Sequence, residues 1–481
     1  MTDIDDFLDR TGRPDDVAHV RKLIDTLDIE YIYVQYVTVT GRVVGKGMPA
    51  AHWERVAESG VQLVYGSTAN VSAGRTGRYL GYGPESSELV AVPEPDTFAQ
   101  LPWDGRVARV FARLFRNRQE ELEPGASLTS DCRGNLARIM ADFEDAHGLE
   151  LRIGTEPEMM WLRRDGAELV GATKPYCYHI DQFEELREVM LRVIRYAHAM
   201  GLDMIQGDHE DAPGQLELNF AFDQPLRNAD RLITYRQICR QVAREFDLVA
   251  CFMTKPFMGL SASGCHHNFS LWRGGEDVPL AGFPDIAGRN VGGHRRGGRN
   301  LLPRADGGGL SEEALYALGG VLAHLPALTA LGSSTVNSYR RMWDSGLWAP
   351  FTRAWGYQNR TCALRVSAPD RIEYRAVDSM VNPYLMAAGL LAAVGDGLRN
   401  RLPAGEPTSA NTYEQAGAPG ADPLPMNLGD ALAALHDDAL VRSALHGDLY
   451  SVFRDHKKDE WERFLATTTS WDFDTYLDYV P

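Results

Sequence analysis

In residues 215–220, Gln215, Glu217 and Asn219 alternate with Leu216, Leu218 and Phe220. That period of two predicts a strand with one apolar and one polar face. Upstream, 15–30 reads as a short helix, and YIYVQYVTVTGRVVGKGMP (31–49) as two strands joined at Thr40-Gly41. Further strands are predicted at 61–65, 87–92 and 106–115, with Pro93, Pro95 and Pro102 between the last two. A charged, Pro-Gly segment at 116–127 has the composition of a link between domains. Beyond it the pattern gives helices at 131–147 (stopped by Gly148), 182–200 (stopped by Gly201), 227–246, 311–331 and 379–395. Strands are predicted at 151–162, 248–256 and 266–272, and in ALRVS and RIEYRAV. Residues 287–309, rich in Gly and Arg, read as a surface loop. Strands interspersed with helices, without a regular βαβ alternation, indicate an α+β fold.

Composition narrows the function. The 481 residues carry a net charge of -17, which argues against general binding to nucleic acid or an anionic membrane and leaves anion binding to local arginine clusters. Six scattered cysteines without a Cys-x-x-Cys pair make a disulfide framework or a thiolate zinc site a poor fit. The N-terminus has no apolar run of a leader, and no uninterrupted stretch of about 18 apolar residues occurs, so a cytoplasmic protein is expected.

Four short stretches carry candidate chemistry. Glu156 and Glu158 lie two apart on a predicted strand and share a face. Taken alone they would be a solvated pair at a sheet edge. In a partly buried site they repel, and a cation or a proton makes the pair tolerable. Glu210 and Glu217 form a second pair, His266 begins a strand, and Glu373 lies between Arg371 and Arg375 on one strand face. Each is individually compatible with a core histidine or a surface ion-pair ladder. Together, five glutamates and one imidazole on predicted strands make an oxygen-rich set with one nitrogen, which suits Mg²⁺ or Mn²⁺ better than zinc. Arg341, Arg360, Arg365, Arg371 and Arg375 add planar forks for carboxylate and phosphate. With no Walker-type loop, phosphoryl transfer on another scaffold is indicated.

The order of motifs resembles the glutamine synthetase family. GTEPEM is similar to G-x-E-x-E-F, GDHEDAPGQLEL to H-H-E-x-A-x-G-Q-x-E, and KPFMGLSASGCHHNFSLW to the K-P…G-S-G-x-H strand. VNSYRRM, NRTCALRV and RIEYRAVDSMVNPYL resemble N-S-Y-K-R, N-R-x-x-x-x-R and R-I-E-x-R-x-x-D…N-P-Y. The resemblance runs over nearly the whole chain. It implies an N-terminal β-grasp domain (1–117) and a catalytic domain (118–481) whose antiparallel strands form an open barrel with flanking helices. It also implies a ring-shaped homo-oligomer, a dodecamer, with active sites at subunit contacts. Its activity would be ATP-dependent formation of γ-glutamyl phosphate, then attack by an amine. Carried over by motif, Glu158, Glu210 and Glu217 would hold one cation, and Glu156, His266 and Glu373 another near the ATP phosphates. Arg341, with Ala262 and Gly264, would meet the substrate amino acid. Arg360 and Arg375 would neutralise the transferring phosphoryl group. Arg365, Arg371, Asn268, Ser270 and Trp272 would lie on the nucleotide side.

Four departures matter. The family's Asp-Gly-Ser-Ser is Tyr65-Gly66-Ser67-Thr68, and its flap E-A-P aligns with Trp348-Ala349-Pro350. The Asn-Gly before Ser-Gly-x-His is Ser261-Ala262, and the second histidine of H-x-H is Asn268, a change shared with eukaryotic members. Losing two acidic groups removes the electrostatic reason for ammonium to settle and lose a proton. Tyr65 and Trp348 would instead wall a carbon-bearing amine, as in the γ-glutamylamide and γ-glutamylpolyamine synthetases. The expectation is thus a ligase joining glutamate to an organic primary amine, without nucleic-acid or membrane partners. Glutamine synthesis from ammonium, an amide synthetase for a different acid and a catalytically inactive paralogue stay open.

Overall fold

The computed structural model describes residues 2–165, 168–170, 177–279, 283–284, 290–291, 294–304, 306–344, 348–415 and 422–478. Helices α1 (Asp3–Leu8) and α2 (Arg13–Thr26) lead into β1 (Tyr31–Val37) and β2 (Val43–Pro49). The short α3 (Trp53–Ser59) precedes β3 (Val61–Val64), β4 (Glu88–Pro93), β5 (Ala99–Leu101) and β6 (Asp104–Arg116). These strands form a six-stranded sheet ordered β2-β1-β6-β4-β3, with β5 on β6. Only β1 and β6 run parallel. Its apolar face closes over its own core, in which Trp53, Ile32, Val34 and Val110 are fully or almost fully buried.

A second, nine-stranded sheet follows. Helix α4 (Cys132–His147) ends at Gly148, whose φ of 61° supplies the left-handed turn into β7 (Glu150–Arg163). Then come α5 (Ile180–Glu185), α6 (Arg187–Ala199), β8 (Met204–His209), β9 (Gln215–Phe220), α7 (Pro225–Glu245), β10 (Leu248–Cys251) and β11 (Cys265–Pro279). The two-residue strands β12 (Phe283–Pro284) and β13 (Asn290–Val291) pair with each other, and β14 (His294–Asn300) returns along β11. After α8 (Glu312–Gly332) and α9 (Val336–Trp343), the strands β15 (Trp355–Tyr357), β16 (Leu364–Ala368) and β17 (Arg371–Tyr374) complete the sheet. The order is β15-β16-β17-β11-β7-β9-β8, with β10 on β7 and β14 on β11. The end strands β8 and β15 do not pair with each other among the described residues, so the curled sheet stays open. Helices α10 (Pro383–Asn400), α11 (Leu428–Asp437), α12 (Ala439–Ser443), α13 (Leu449–Leu465) and α14 (Ser470–Tyr476) finish the chain. The fold is α+β, with a strand-rich N-terminal region followed by an open, largely antiparallel barrel and its helices.

Three expectations need correction. The 287–309 segment is not all loop: His294–Asn300 is a strand, because β11 extends past Trp272 and offers an edge to pair with. The helix expected at 182–200 is two, broken at Leu186. The strand expected at 248–256 ends at Cys251, where the chain leaves β7.

Helices α8 and α10 cross at the centre. A Cβ added at Gly320 would lie 2.2 Å from the Ala393 carbonyl, and one at Gly397 would lie 2.1 Å from that of Tyr316, so only glycine permits this approach. By length and composition α8 is apolar enough to cross a membrane, yet 67% of its apolar window is buried inside this fold. Its hydropathy is accounted for by the core.

His324 of α8 ties this helix to two others. Its Nδ1 lies 2.6 Å from Asp438, the N-cap of α12, and its Nε2 lies 3.2 Å from Asp396 of α10. Burial alone would lower the histidine pKa, but hydrogen bonds to Asp438 and Asp396 outweigh it and raise it above 6.5. A raised value means that the bridge contributes fully below the unfolded pKa and fades as pH rises through the folded one. His324→Gln should therefore cost about 1–2 kcal/mol at pH 6 and distinctly less at pH 9. Chemical denaturation at the two pH values checks this, and an equal cost at both would contradict it.

Candidate active site

Strand β7 organises the site. Glu156 and Glu158 point from the same face, but the register gives them different partners. Glu156 lies opposite His266 on β11, and Glu158 opposite Glu217 on β9. Each therefore joins a different group. Glu156, His266 and Glu373 offer ligand atoms that all lie within 4.8 Å of one another, as do Glu158, Glu210 and Glu217. Glu373 comes from β17, where it faces Asn268 across the ladder. Glu210 is not on a strand: it is the first residue past β8, and its N–H donates to the Gln215 carbonyl at 2.9 Å as the chain turns into β9.

Burial makes the second triad hold protons tightly. It pushes Glu158 up to about 7 against the pull of the Gly264 N–H and Arg341. It pushes Glu210 up to about 9, helped by Glu158 and Asp208, and raises Glu217 well above its ordinary value, helped by Glu156 and Glu158. The first triad has the opposite balance. For Glu373, burial is outweighed by Arg375, with Arg365 also adjacent, so its pKa falls. Arg375 donates to one oxygen of Glu373, and Arg365 donates to the other at 2.6 Å. Burial, together with Arg375 and Arg341, holds His266 well below its ordinary pKa and therefore neutral. Arg341 Nη2 lies 3.2 Å from His266 Nε2. A guanidinium only donates, so Nε2 accepts and Nδ1 faces Glu156 and Glu373, at 3.2 and 3.4 Å. A neutral imidazole with two carboxylates, and three carboxylates with strong proton affinity, fit hard divalent cations.

Both triads open onto one cavity of about 570 Å³. Arg341, Arg360, Arg365, Arg371 and Arg375 all line it, so every arginine singled out from the sequence converges there. Arg341 is positioned by α9, which starts at Thr335, whose hydroxyl accepts the Ser338 N–H. It is 3% exposed and donates to the Arg375 and Val377 carbonyls at 3.1 and 3.4 Å. Arg375 also donates to the Trp348 carbonyl at 3.1 Å. Arg360 and Arg371 are the exposed members.

The remaining candidates divide. Ala262 lines the cavity. Gly264 lies against it: its N–H donates to Glu158 at 2.8 Å, and an added Cβ would lie 2.9 Å from both Glu158 and His266. Asn268 donates to Glu156 at 2.7 Å and so supports the first triad. Ser270 and Trp272 are not among the lining residues. The indole donates to the Ser270 hydroxyl at 2.8 Å, and its ring is covered by Arg152, 4.0 Å from the centroid. Trp348 lines the cavity with its backbone in the left-handed region, φ 65°. Gly346 and Leu347 lie outside the described residues. The structure does not bring Tyr65 to the cavity of its own chain. It is 6% exposed, with its ring edge-on to Tyr82 at 4.3 Å in the core of the N-terminal sheet.

Other lining residues were not chosen from the sequence. Gln215, two before Glu217 on the same strand face, donates to Glu158, the Ala262 carbonyl and Ser263. Asp208, two before Glu210, lines the cavity with one carboxylate oxygen buried and without a hydrogen bond. Gln215 follows the alternation that singled out Glu217, and Asp208 lies on β8, two before the off-strand Glu210. Tyr178 lines the cavity as well, at φ 60°, and no local pattern marks it.

Comparisons with known proteins agree with this geometry. Residues 129–282 and 294–476 match the family model described as the glutamine synthetase catalytic domain. A glutamine synthetase of Thermococcus kodakarensis is 32% identical over 92% of this chain and 91% of its own length. One of Rhizobium leguminosarum bv. phaseoli is 31% identical over 94% and 97%. Among solved structures, GmaS in complex with ADP superposes with a TM-score of 0.82 at 29% identity, covering 95% of this chain and 99% of that one. GmaS without ligand gives 0.81 at 28%, with the same coverage.

The raised carboxylates have a measurable consequence. A raised folded-state pKa contributes stability below about pH 4.5 that is lost as pH rises through about 7 for Glu158 and about 9 for Glu210. In chelator, the melting temperature should therefore fall between pH 5 and 9. Mg²⁺ or Mn²⁺ should restore it most at the alkaline end. Glu217→Gln should stabilise the chelated protein at pH 9 and abolish most of the gain from the ion. Differential scanning calorimetry checks this, and an unchanged ion response in the variant would remove Glu217 from the ligand set.

Proposed function

This chain belongs to the glutamine synthetase family and is an ATP-dependent ligase of that type, and we propose that it joins glutamate to an organic primary amine. The observation that carries the amine reading is a pair of aromatic side chains at the cavity, Tyr178 and Trp348, each held at a positive φ that a non-glycine residue rarely adopts. The likeness to GmaS, a γ-glutamylmethylamide synthetase, supports it. Residues 1–117 would form a β-grasp domain and 118–481 the catalytic domain, in a cytoplasmic ring-shaped assembly.

In this reading Glu156, His266 and Glu373 would hold one Mg²⁺ or Mn²⁺, and Glu158, Glu210 and Glu217 another. Bound there, the ions would offset charge on the phosphates and the acid. Arg341 would orient the substrate α-carboxylate beside Ala262 and Gly264. A γ-carboxylate oxygen of glutamate attacks the terminal phosphorus of ATP, and the bond to the ADP oxygen breaks. Arg360 and Arg375 neutralise the phosphoryl oxygens as that charge moves, while Arg365 and Arg371 face the nucleotide. The amine then attacks the acyl carbon of γ-glutamyl phosphate, and inorganic phosphate leaves with the bonding pair. Asp208, which lines the same cavity, would attract the ammonium form and take its proton. Asn268 steadies Glu156 rather than touching a substrate.

A second reading has its own support. The curated relatives are glutamine synthetases, and the Asp208 carboxyl group at the cavity would serve ammonium as readily as an organic amine. Carbon separates the two. A methylene buried against Tyr178 and Trp348 contributes about 0.8 kcal/mol, so a three-carbon amine gains on the order of 2 kcal/mol that ammonium cannot.

ADP release with glutamate should accordingly show kcat/KM at least tenfold higher for the best alkyl-, aryl-, polyamine or aminoalcohol substrate than for ammonium. Trp348→Glu should narrow that ratio. Equal use of ammonium by the wild type would make the enzyme a glutamine synthetase, and turnover with no amine but with another acid would displace glutamate.

Tyr65 would enter the site only from a neighbouring subunit, after rearrangement of its contact with Tyr82. Mass photometry should show ring-sized particles, with activity lost on dissociation. A fully active monomer would overturn the assembly.

A further inference from the structure

A second cavity, of about 820 Å³, lies between the N-terminal sheet and α7. Its volume falls in the range of about 300–1,000 Å³ that suits metabolite-sized ligands. Five arginines line it: Arg42 between β1 and β2, Arg109 on β6, and Arg236, Arg240 and Arg244 on α7. The last three recur every fourth residue and so share one helix face. No aspartate or glutamate lines the cavity, and none of the five arginines forms an ion pair among the described residues. In a chain of net charge -17 this concentration of unpaired positive charge needs an explanation.

The two innermost arginines supply a second observation. Arg109 and Arg236 are each 7% exposed, and the Nε of each is buried without a hydrogen-bond partner. Their terminal nitrogens are already engaged. Arg109 donates to the Thr97 carbonyl and the Thr234 hydroxyl, and Arg236 to the Val381 and Ser379 carbonyls at 2.8 and 2.9 Å. A buried donor left over in this way costs about 1–3 kcal/mol. Desolvation, with repulsion from Arg42 and Arg244, also holds the pKa of Arg240 down. An anion among Arg42, Arg240 and Arg244 would offset that repulsion. Trp103 and Phe252 give the cavity an apolar wall, and Gln237 adds an amide.

We propose that this cavity is a binding site for a small organic polyanion, a di- or tricarboxylate or a phosphorylated metabolite, separate from the substrate cavity. It has a route to the chemistry. Arg236 holds the carbonyls of Ser379 and Val381, while Arg341 holds those of Arg375 and Val377 from the other side. One short stretch of backbone is thus gripped by a guanidinium from each cavity, so charge neutralised at Arg236 acts on the segment that positions Arg341. The site is an effector site for whichever reaction the active cavity performs.

The test uses the full chain in chelator, titrated calorimetrically with citrate and, separately, pyrophosphate. At least one should bind saturably. Arg240→Ala combined with Arg244→Ala, both exposed positions, should weaken that binding at least tenfold, whereas Arg360→Ala in the substrate cavity should not. Tighter citrate binding would assign the carboxylate class, and tighter pyrophosphate binding the phosphate class. No saturable binding of either anion overturns the proposal, as does binding that survives the double substitution. If the double substitution alters particle mass in mass photometry while the wild type binds neither anion, the cavity is a contact between copies of this chain, which also overturns it.

Discussion

Glu158 and Glu217 face each other directly across the β7–β9 ladder, both buried, with Glu210 completing a triad of carboxylates within 4.8 Å. Like charges opposite one another weaken a strand pair. Were all three ionised, each pair at about 5 Å and an effective dielectric near 20 would cost on the order of 3 kcal/mol, which is why the triad holds protons so tightly. The arrangement persists because the surroundings commit to it. Gln215 and the Gly264 N–H donate to Glu158, and Asn219 donates to Glu217 at 2.7 Å. These bonds orient the carboxylates without neutralising them. What remains is a site that takes protons or a cation, held by strands β7 and β9 and the turn after β8.

The first triad resolves the same problem differently. Glu373 is already bonded by Arg365 and Arg375, and the neutral His266 contributes no charge of its own. That triad is electrically closer to balance. An ion held there would share its carboxylates with arginines that also face the cavity. In the proposed reaction this division would matter: one triad would exchange its protons for an ion, and at the other an ion and the guanidinium groups would share the carboxylates. Both depend on β7, because the two-residue step from Glu156 to Glu158 puts one carboxylate in each group while the β11 and β9 ladders fix the distance.

Alternation located Glu156, Glu158, Glu217 and Glu373, because strand period and side-chain direction are local properties, whereas Glu210 lies just past β8 and was marked only by its acidic stretch. The two triads were legible only through the resemblance, since the register that separates Glu156 from Glu158 depends on which strands lie on either side. The buried state of Tyr65 was not legible either. A tyrosine in place of an aspartate reads as a substituted binding group, yet in the monomer its ring serves the sheet core beside Tyr82. Tyr178 was missed for the opposite reason: its place at the cavity follows from a left-handed backbone between Cys177 and the start of α5, which no periodicity encodes. The strand at 294–300 was hidden because Gly and Arg carry little strand preference, and pairing with the long β11 overrode that local preference.

Positive φ at both Tyr178 and Trp348 marks the two aromatic residues that line the cavity. Such backbones persist where surrounding contacts over-determine them, and the Trp348 carbonyl is anchored by Arg375, which also bonds Glu373. The aromatic at the cavity and the arginine beside the first triad are therefore parts of one hydrogen-bonded unit. A flap glutamate at this place would bring a negative charge to the same cavity. A tryptophan held by its backbone instead brings apolar surface to the cavity that Asp208 also lines. In the proposed reading, Asp208 would meet the nitrogen of an alkylammonium and Trp348 its carbon, whereas ammonium would use the charge alone.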